Sequence, residues 1–358
     1  MRGSGAMLLG LALVAAAAAA EGAPAIPETD RIRLAEGFRL ASALGDRLWP
    51  GWSEAPFAVL LVTPEHEFLM RHPRPTGDFT PAGEDERLGG RVWVRPRRFP
   101  TEFLATFPAV AGVPTVVIGQ AQNTEAATST RWVITLLHEH FHQLQDSRPG
   151  HYEAVAALDL ARGDTTGMWM LDFPFPYDRP EVVAGFSALA RGLGAALLAS
   201  EGTDLERAFA SYLDARVRFR ALLDPAEARY FDFQLWKEGI SRYTEARLAE
   251  LAAAEYQPSP AFAALDDFRP FAEVAAAIRH GIDRELSSVD LAAARRTVVY
   301  NFGAAEGLLL DRVRPDWRER YFGAGLTLER HFAGLGTAPT AATRRDRPTP
   351  SDPPRGVN

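Results

Sequence analysis

The residues best suited to chemistry lie in the segment TLLHEHFHQLQ, residues 135–145, which holds three of the chain's eight histidines. His138, Glu139 and His142 fit the pattern H-E-x-x-H. Positions four apart lie just over one helical turn apart, so the two histidines share one face, about 6 Å apart at Cβ. Two imidazoles in this arrangement can bind one Zn²⁺ ion, and the adjacent glutamate can accept a proton from water. The pattern predicts a helical metal site with Glu139 as general base.

The middle histidine of the segment, His140, has a different orientation. It lies about 200° around the helix from His138, so the two imidazoles cannot face the same ion. We therefore expect His140 to point away from the metal. The alternative interpretation of the whole segment is a polar helix face with solvated histidines.

A catalytic zinc needs a third protein ligand, and its identity is the main question that the segment leaves open. The chain contains no cysteine, so this ligand must be His, Asp or Glu. The metzincin extension is excluded, because Gln145 and Arg148 occupy its Gly and His positions. In short-spaced zincins the ligand is a Glu about twenty residues further on, but only Asp159 and Asp164 flank that window here.

A better source of the third ligand is LWKEGISRYTE, residues 235–245. This segment resembles the zinc-ligand helix of the gluzincin aminopeptidases of the aminopeptidase N family. The resemblance implies that Glu238 is the third ligand and that Glu245, two turns later, is a hydrogen-bond partner of a ligating histidine. The alternatives are an exposed acidic position on a helix, or a site completed by Asp159, Asp164 or Asp204.

The segment TVVYNFGAAEGLLLD, residues 297–311, resembles a third motif of the same family. The resemblance implies that Tyr300 donates a hydrogen bond to the oxyanion of a tetrahedral intermediate, as a phenol can. The alternative is a tyrosine of the hydrophobic core. Gly303 and Ala304 predict close packing between helices.

The resemblance covers three short segments, and the chain departs from the family in three respects. The family's G-A-M-E-N strand is missing, and IGQAQNT at 118–124 takes its place as a predicted edge strand able to pair with an extended peptide. It lacks the Glu that recognises a free amino terminus, so aminopeptidase specificity does not follow. A long, mostly helical insertion separates His142 from Glu238, and its segment 168–180 is either a lid or an ordinary packed loop. The family's large N-terminal β-domain has no room here.

The remaining pattern predicts an α+β protein: a zincin-like (thermolysin-like) catalytic domain with a small mixed sheet followed by a mostly helical region. Ser129 or Thr130 is expected to cap the histidine helix, which should run to 147–150. Pro225 and Ser288 are expected at helix starts. The predicted strands are 57–62, 67–72, 91–96 and 114–119, with a hairpin turn at 63–65, and the predicted helices are 29–47, 181–199, 204–222, 226–255, 268–285 and 289–312.

Four divisions of the chain are expected. Residues 1–23 resemble a secretory signal peptide, with a charged start, a short apolar core and small residues at the cleavage site. Residues 24–127 form the sheet-containing part, residues 128–335 form the helical catalytic part with an insertion at about 147–225, and residues 336–358 are Pro/Thr/Arg-rich and expected to be disordered. The protein is expected to be exported to the periplasm or the medium, and its composition is typical of a bacterial source.

The bulk composition limits the function classes. The chain of 358 residues is 47% hydrophobic and carries a net charge of −7, which gives no basic surface for nucleic acid. No stable membrane insertion is expected after signal cleavage. The sequence therefore predicts an exported zinc metallopeptidase, with one Zn²⁺ and a peptide or protein substrate. The alternatives are a hydrolase of a non-peptide amide or ester on the same fold, and a non-catalytic zinc-binding protein.

Overall fold

The computed structural model of the protein describes residues 24–335. The predicted signal peptide and the predicted disordered tail both lie outside the described residues. The described chain is a mixed α+β structure, as predicted, with a single small sheet in its first part. The first helix and the strands are α1 (Glu28–Leu48), β1 (Val59–Val62), β2 (His66–Met70), β3 (Thr80–Asp85), β4 (Gly90–Pro96), β5 (Leu104–Val110) and β6 (Val113–Gly119).

The six strands form one mixed sheet in the order β3-β4-β2-β1-β6-β5. Strand β1 pairs with β6 in parallel, and all other neighbours are antiparallel. Side chains alternate between two faces, as in any strand. Val59 and Leu61 belong to the large core shared with the helices, whereas Leu60 and Val62 belong to a smaller cluster on the other face.

Each of the four predicted strands is observed, and the predicted turn at 63–65 joins β1 to β2. Two strands were missed. Strand β3 lies in the Pro/Gly-rich segment that was expected to be a loop, and its side chains are largely exposed, so it lacks the apolar pattern of a buried strand. Strand β5 contains Pro108, which also weakens a strand prediction.

The prediction of an edge strand at 118–124 is wrong. Strand β6 ends at Gly119 and pairs on both sides, with β1 and with β5. Residues 121–123 form a 3₁₀ turn. The edge strand next to the histidine helix is β5. It contains Pro108, which has no backbone N–H to donate to a neighbouring strand and is therefore tolerated at a sheet edge.

The second part of the described chain is mostly helical. Within residues 24–335, thirteen α-helices follow the sheet: α2 (Ser129–Asp146), α3 (His151–Ala156), α4 (Trp169–Asp172), α5 (Pro180–Leu198), α6 (Thr203–Arg220), α7 (Pro225–Gln234), α8 (Ile240–Glu255), α9 (Pro260–Ala263), α10 (Phe271–Ser288), α11 (Leu291–Ala294), α12 (Val298–Val313), α13 (Trp317–Arg320) and α14 (Glu329–Phe332). A π-helical segment, Leu235–Gly239, joins α7 to α8, so the predicted helix 226–255 is continuous.

Two predicted helix starts are wrong, for local reasons. The capping position of α2 is Thr128, and the Ser129 backbone N–H donates to Asp267 Oδ2 at 3.0 Å instead of to a side chain of its own segment. Ser288 ends α10. The predicted helix 289–312 is interrupted at Arg295, which has a φ of 48°, a conformation that no α-helix contains.

The aromatic part of segment 168–180 is a packed loop. The Phe173 ring stacks on Tyr230 with 4.4 Å between centroids, and Phe175 is buried beside them. Tyr230 donates its hydroxyl to the Met170 carbonyl oxygen at 2.9 Å. Met168 and Leu171, the large apolar side chains at the start of the segment, are both 49% exposed.

One described helix, α5, is long and apolar enough by length and composition to cross a membrane, and 33% of its apolar window is buried. It packs against α6, α10 and α12. This packing is also what a core helix of a helical layer shows.

The π-helical segment and α12 approach closely at a pair of glycines, Gly239 and Gly303, as Gly303 in the sequence predicts. A Cβ atom added at Gly303 would lie 2.6 Å from the Cα of Gly239, and one added at Gly239 would lie equally close to Gly303. Backbone atoms cannot move away from an added methyl group by changing rotamer, as a flexible side chain can. Glycine at both positions therefore sets the distance between the two helices.

We expect Gly303→Ala to destabilise the protein by about 1–3 kcal/mol, because the added methyl group overpacks the helix contact. Gly281→Ala is the matched control: Gly281 is also helical, but nothing lies within 4 Å of an added Cβ there. That change should stabilise by up to about 1 kcal/mol. Chemical denaturation of both variants measures the difference, and equal free energies of unfolding would contradict the close-contact interpretation.

Candidate metal centre

The centre lies between two antiparallel helices: α2, and the continuous helix α7–α8 that contains the π-helical segment. Glu238 lies inside that segment. A π turn closes i→i+5 hydrogen bonds and shifts the side chains after it relative to an α-helix, and such turns are frequent at functional sites. Gly239, the next residue, brings this turn against α12.

The three side chains predicted from the sequence as ligands lie close together. His138, His142 and Glu238 each offer one donor atom, and these atoms all lie within 4.8 Å of one another. Glu238 Oε2 is 3.3 Å from His142 Nε2 and 3.8 Å from His138 Nε2. The two imidazole rings are 4.9 Å apart. The cluster is buried or nearly so, and its donors suit a metal ion that accepts nitrogen and oxygen ligands.

The charges in the cluster favour a cation. Burial lowers the pKa of His138, but hydrogen bonds with Glu238 and Glu245 outweigh that effect and raise it to about 9. Burial raises the pKa of Glu238, but the neighbouring charges of His142 and His138 hold it well below its usual range. A proton shared between imidazole and carboxylate compensates the buried negative charge, and a divalent cation would serve the same purpose.

The outer nitrogen of His138 is held by Glu245. His138 Nδ1 lies 2.7 Å from Glu245 Oε1. The other oxygen, Oε2, lies 2.6 Å from Arg131 Nη1 and 2.7 Å from Arg242 Nη1. Burial raises the pKa of Glu245, but the charges of the two guanidinium groups outweigh this effect. The pKa of Glu245 therefore lies below its usual range, and the carboxylate is ionised. An ionised acceptor at Nδ1 leaves Nε2 directed at the centre.

The outer nitrogen of His142 is held by a neutral side chain. His142 Nδ1 lies 2.7 Å from Gln145 Oε1 and 3.2 Å from Ser241 Oγ. The Gln145 amide is itself fixed, since its nitrogen donates to the Tyr321 hydroxyl at 2.8 Å and to the Trp236 carbonyl oxygen at 3.2 Å. Both histidines therefore present Nε2 inward.

His140 points away from the centre, as the helical geometry predicts. Its ring stacks on Phe57 with 3.6 Å between centroids and 2° between planes. Its Nδ1 lies 2.9 Å from Gln143 Oε1. Burial lowers the pKa of His140 to about 3, so this imidazole is neutral and belongs to the core.

Glu139 is fixed against the edge strand. The Thr106 hydroxyl of β5 lies 2.9 Å from Glu139 Oε2 and 2.8 Å from the Glu139 carbonyl oxygen. A single hydroxyl hydrogen serves these two acceptors in turn. Glu139 is only 6% exposed. The general-base candidate thus lies between the metal ligands and the edge of the sheet.

Tyr300 lies at the centre with a cationic neighbour. Its ring is 6.2 Å from that of His138. The Tyr300 hydroxyl accepts a hydrogen bond from Arg296 Nη2 at 3.1 Å, and Arg296 Nη1 is 3.8 Å from Glu238 Oε1. Burial raises the pKa of Tyr300, so the phenol keeps its hydrogen at neutral pH and can donate it.

The three aspartates that could have completed the site lie elsewhere. Asp164 accepts hydrogen bonds from backbone N–H groups of its own turn, at Thr166 and Trp169. Asp204 is exposed in the first turn of α6, and Asp159 is an exposed turn residue with a φ of 54°. None of them belongs to the one group of side chains within residues 24–335 that could hold a metal ion.

Several residues of the centre were not predicted from the sequence. Arg296 precedes Tyr300 by four positions, a spacing that could have indicated a shared helix face. Gln145 follows His142 by three positions, with the same signal. Thr106 comes from strand β5, and Arg131 lies on α2 but pairs with Glu245 of α8, so no local spacing predicts either contact.

Comparison with known proteins found no related protein. No protein-family model matches the chain, no curated protein matches it, and no solved structure matches its fold.

We expect Glu238→Gln to lower the affinity for Zn²⁺ by at least about tenfold, because the only carboxylate donor of the group is lost. Asp164→Asn and Asp204→Asn are the matched controls and should bind as the unmodified protein does. Equilibrium dialysis followed by metal analysis measures all three. Undiminished binding in Glu238→Gln would exclude the proposed ligand set.

Proposed function

We propose that the protein is a hydrolase in which a metal-activated water attacks a carbonyl group. More particularly, we propose an exported zinc metallopeptidase of the gluzincin type. The observation that carries this proposal is the convergence of His138, His142 and Glu238 beside a positioned Glu139. Export rests on the sequence of residues 1–23 alone.

The ligands proposed for zinc are the two Nε2 atoms and the Glu238 carboxylate. Zn²⁺ held there would lower the pKa of a bound water toward neutrality and polarise the substrate carbonyl. Two imidazoles and one carboxylate are a common donor set of catalytic zinc sites. The intact glutamate of H-E-x-x-H argues against a purely structural metal, which needs no general base.

Glu139 accepts the proton of the attacking water and delivers it to the leaving amine. The Thr106 hydroxyl supports this role because it fixes one carboxylate oxygen and leaves the other free. Fixing the base in advance removes the cost of orienting it during the reaction. The anchor belongs to the edge strand, so the base and the substrate's docking edge are positioned together.

Tyr300 and Arg296 supply positive potential where negative charge develops. The Arg296 guanidinium donates to the Tyr300 oxygen, which strengthens the phenol as a donor to an oxyanion through hydrogen-bond cooperativity. Donors fixed before the reaction are the main source of transition-state stabilisation in acyl transfer. Arg296 is therefore an additional residue of the proposed mechanism.

The edge strand favours a peptide over a small amide or ester. Strand β5 pairs only with β6 among the described strands and runs beside Glu139. Backbone groups on an open sheet edge can bind an extended peptide by strand addition. A panel of small esters and amides, tested beside a peptide mixture, separates the two substrate classes.

We expect Glu139→Gln to abolish peptide cleavage, with kcat at least about 10³-fold lower, because the base is lost while the ligands remain. Its zinc content should equal that of the unmodified protein. Mass spectrometry of a diverse peptide mixture reports cleavage, and metal analysis reports occupancy. Cleavage by Glu139→Gln at the rate of the unmodified protein would refute the assignment of Glu139.

We expect Tyr300→Phe to lower kcat by about 10–10³-fold with little change in KM, because the hydroxyl acts on the transition state. Tyr152→Phe is the matched control, since Tyr152 is 49% exposed. Steady-state kinetics on one cleaved peptide measures both variants. An equal effect of the two substitutions would place Tyr300 outside the mechanism.

A further inference from the structure

A cavity of about 420 Å³ lies beside the metal centre, between the start of α2 and helices α8, α10 and α12. Its size falls within the range of small-molecule and subsite pockets. Three arginines line it: Arg131, Arg242 and Arg269. One carboxylate, Glu273, also lines it, and Val274 and Ile278 form an apolar wall.

The guanidinium groups are only partly compensated. Arg131 and Arg242 share the single carboxylate of Glu245, to which each contributes one nitrogen. Arg269 donates to the Phe268 carbonyl oxygen at 2.8 Å, and no ion pair of its side chain occurs within residues 24–335. The lining therefore holds three guanidinium groups and one carboxylate, Glu273. Two further carboxylates lie behind it: Glu245, and Glu285, which accepts a hydrogen bond from Asn301 and whose pKa is raised by burial.

The cavity is coupled to the metal centre through two contacts. Arg131 and Arg242 bind the carboxylate that holds His138 Nδ1. The Arg242 guanidinium also lies over the Tyr300 ring, with 5.9 Å from Cζ to the centroid. Arg131 precedes His138 by two turns of α2, which is about 10 Å along the axis. An extended peptide covers that distance in about three residues.

The helix that closes the cavity leaves room for a ligand. Gly281 of α10 lines the cavity, and nothing lies within 4 Å of a Cβ added there. Its φ is not positive, so glycine is not required by the backbone at this position. The missing side chain therefore contributes to the open space.

We propose that this cavity is a substrate subsite that binds a carboxylate, through Arg269 together with Arg131 and Arg242, within about three residues of the cleaved bond. The inference rests on the proposed peptidase function. Guanidinium groups bind carboxylates with charge-assisted, often bidentate hydrogen bonds. The carboxylate comes from the substrate's C-terminus or from an acidic side chain, and the apolar wall contacts the rest of that residue.

The test compares peptides of one cleaved sequence. The first pair differs in a free or amidated C-terminus, and the second pair, both amidated, has Glu or Gln as last residue. We expect the carboxylate-bearing member of one pair to be cleaved with kcat/KM at least about tenfold higher. The first pair identifies a terminal carboxylate and the second an acidic side chain. Equal cleavage of both pairs would overturn the proposal.

Two variants locate the preference in the cavity. Arg269→Gln should remove the preference by lowering kcat/KM for the carboxylate-bearing peptide at least about tenfold more than for its neutral partner. Gly281→Phe fills the cavity and should lower kcat/KM for both members of the preferred pair. Arg191→Gln on α5 and Ala276→Phe on the exposed side of α10 are the matched controls, since both residues are exposed outside the cavity lining. Equal loss on neutral and anionic peptides in Arg269→Gln would contradict a carboxylate subsite.

Binding separates this inference from the proposed function. Calorimetry with Glu139→Gln and the same four peptides measures affinity without turnover. Preferred binding of a carboxylate, abolished by adding Arg269→Gln, would support the cavity even if the unmodified protein cleaved nothing. Cleavage with neither a kinetic nor a binding preference would leave the peptidase proposal intact and remove the subsite.

Discussion

The centre depends on the neutralisation of two carboxylates that one helix carries into the interior. Glu238 and Glu245 are two turns apart and both largely buried, at 17% and 3% side-chain exposure. A buried charge is tolerated only if it is paired. Two guanidinium groups pair with Glu245, whereas Glu238 faces imidazoles and a more distant Arg296. The partly compensated carboxylate is the one positioned to take a cation.

The geometry of that carboxylate is set by backbone contacts instead of side-chain packing. The π-helical segment carries Glu238, and the contact between Gly239 and Gly303 fixes the distance of this segment from α12. Helix α12 carries Tyr300, and Arg296 lies in the turn just before it. Backbone-to-backbone contact permits little adjustment, because neither partner can change rotamer. The candidate metal ligand and the proposed oxyanion donors are thereby held at a fixed separation.

The edge strand and the cationic cavity lie on different sides of the same histidine helix and contact different members of the centre. Thr106 of β5 fixes Glu139, and Arg131 acts on His138 through Glu245. A peptide along the edge would therefore meet the base, and its carboxylate would meet the arginines. In the proposed function, substrate recognition and the orientation of the reacting groups would share side chains, which is how binding energy is used to position a reaction.

The sequence by itself determined the inner part of the site. His138, Glu139 and His142 follow from helical periodicity, because their spacing is local, and the same periodicity placed His140 on the opposite face. The resemblance of short motifs nominated Glu238, Glu245 and Tyr300, whose convergence only the tertiary structure decided. The structure also decided the edge strand, where β5 replaced the predicted segment at 118–124, and the partners Thr106, Arg131 and Arg296. The contacts of Thr106 with Glu139 and of Arg131 with Glu245 join residues far apart in the chain, and no local period encodes such pairings. Arg296 lies four positions before Tyr300, but its approach to Glu238 is again a contact between distant segments.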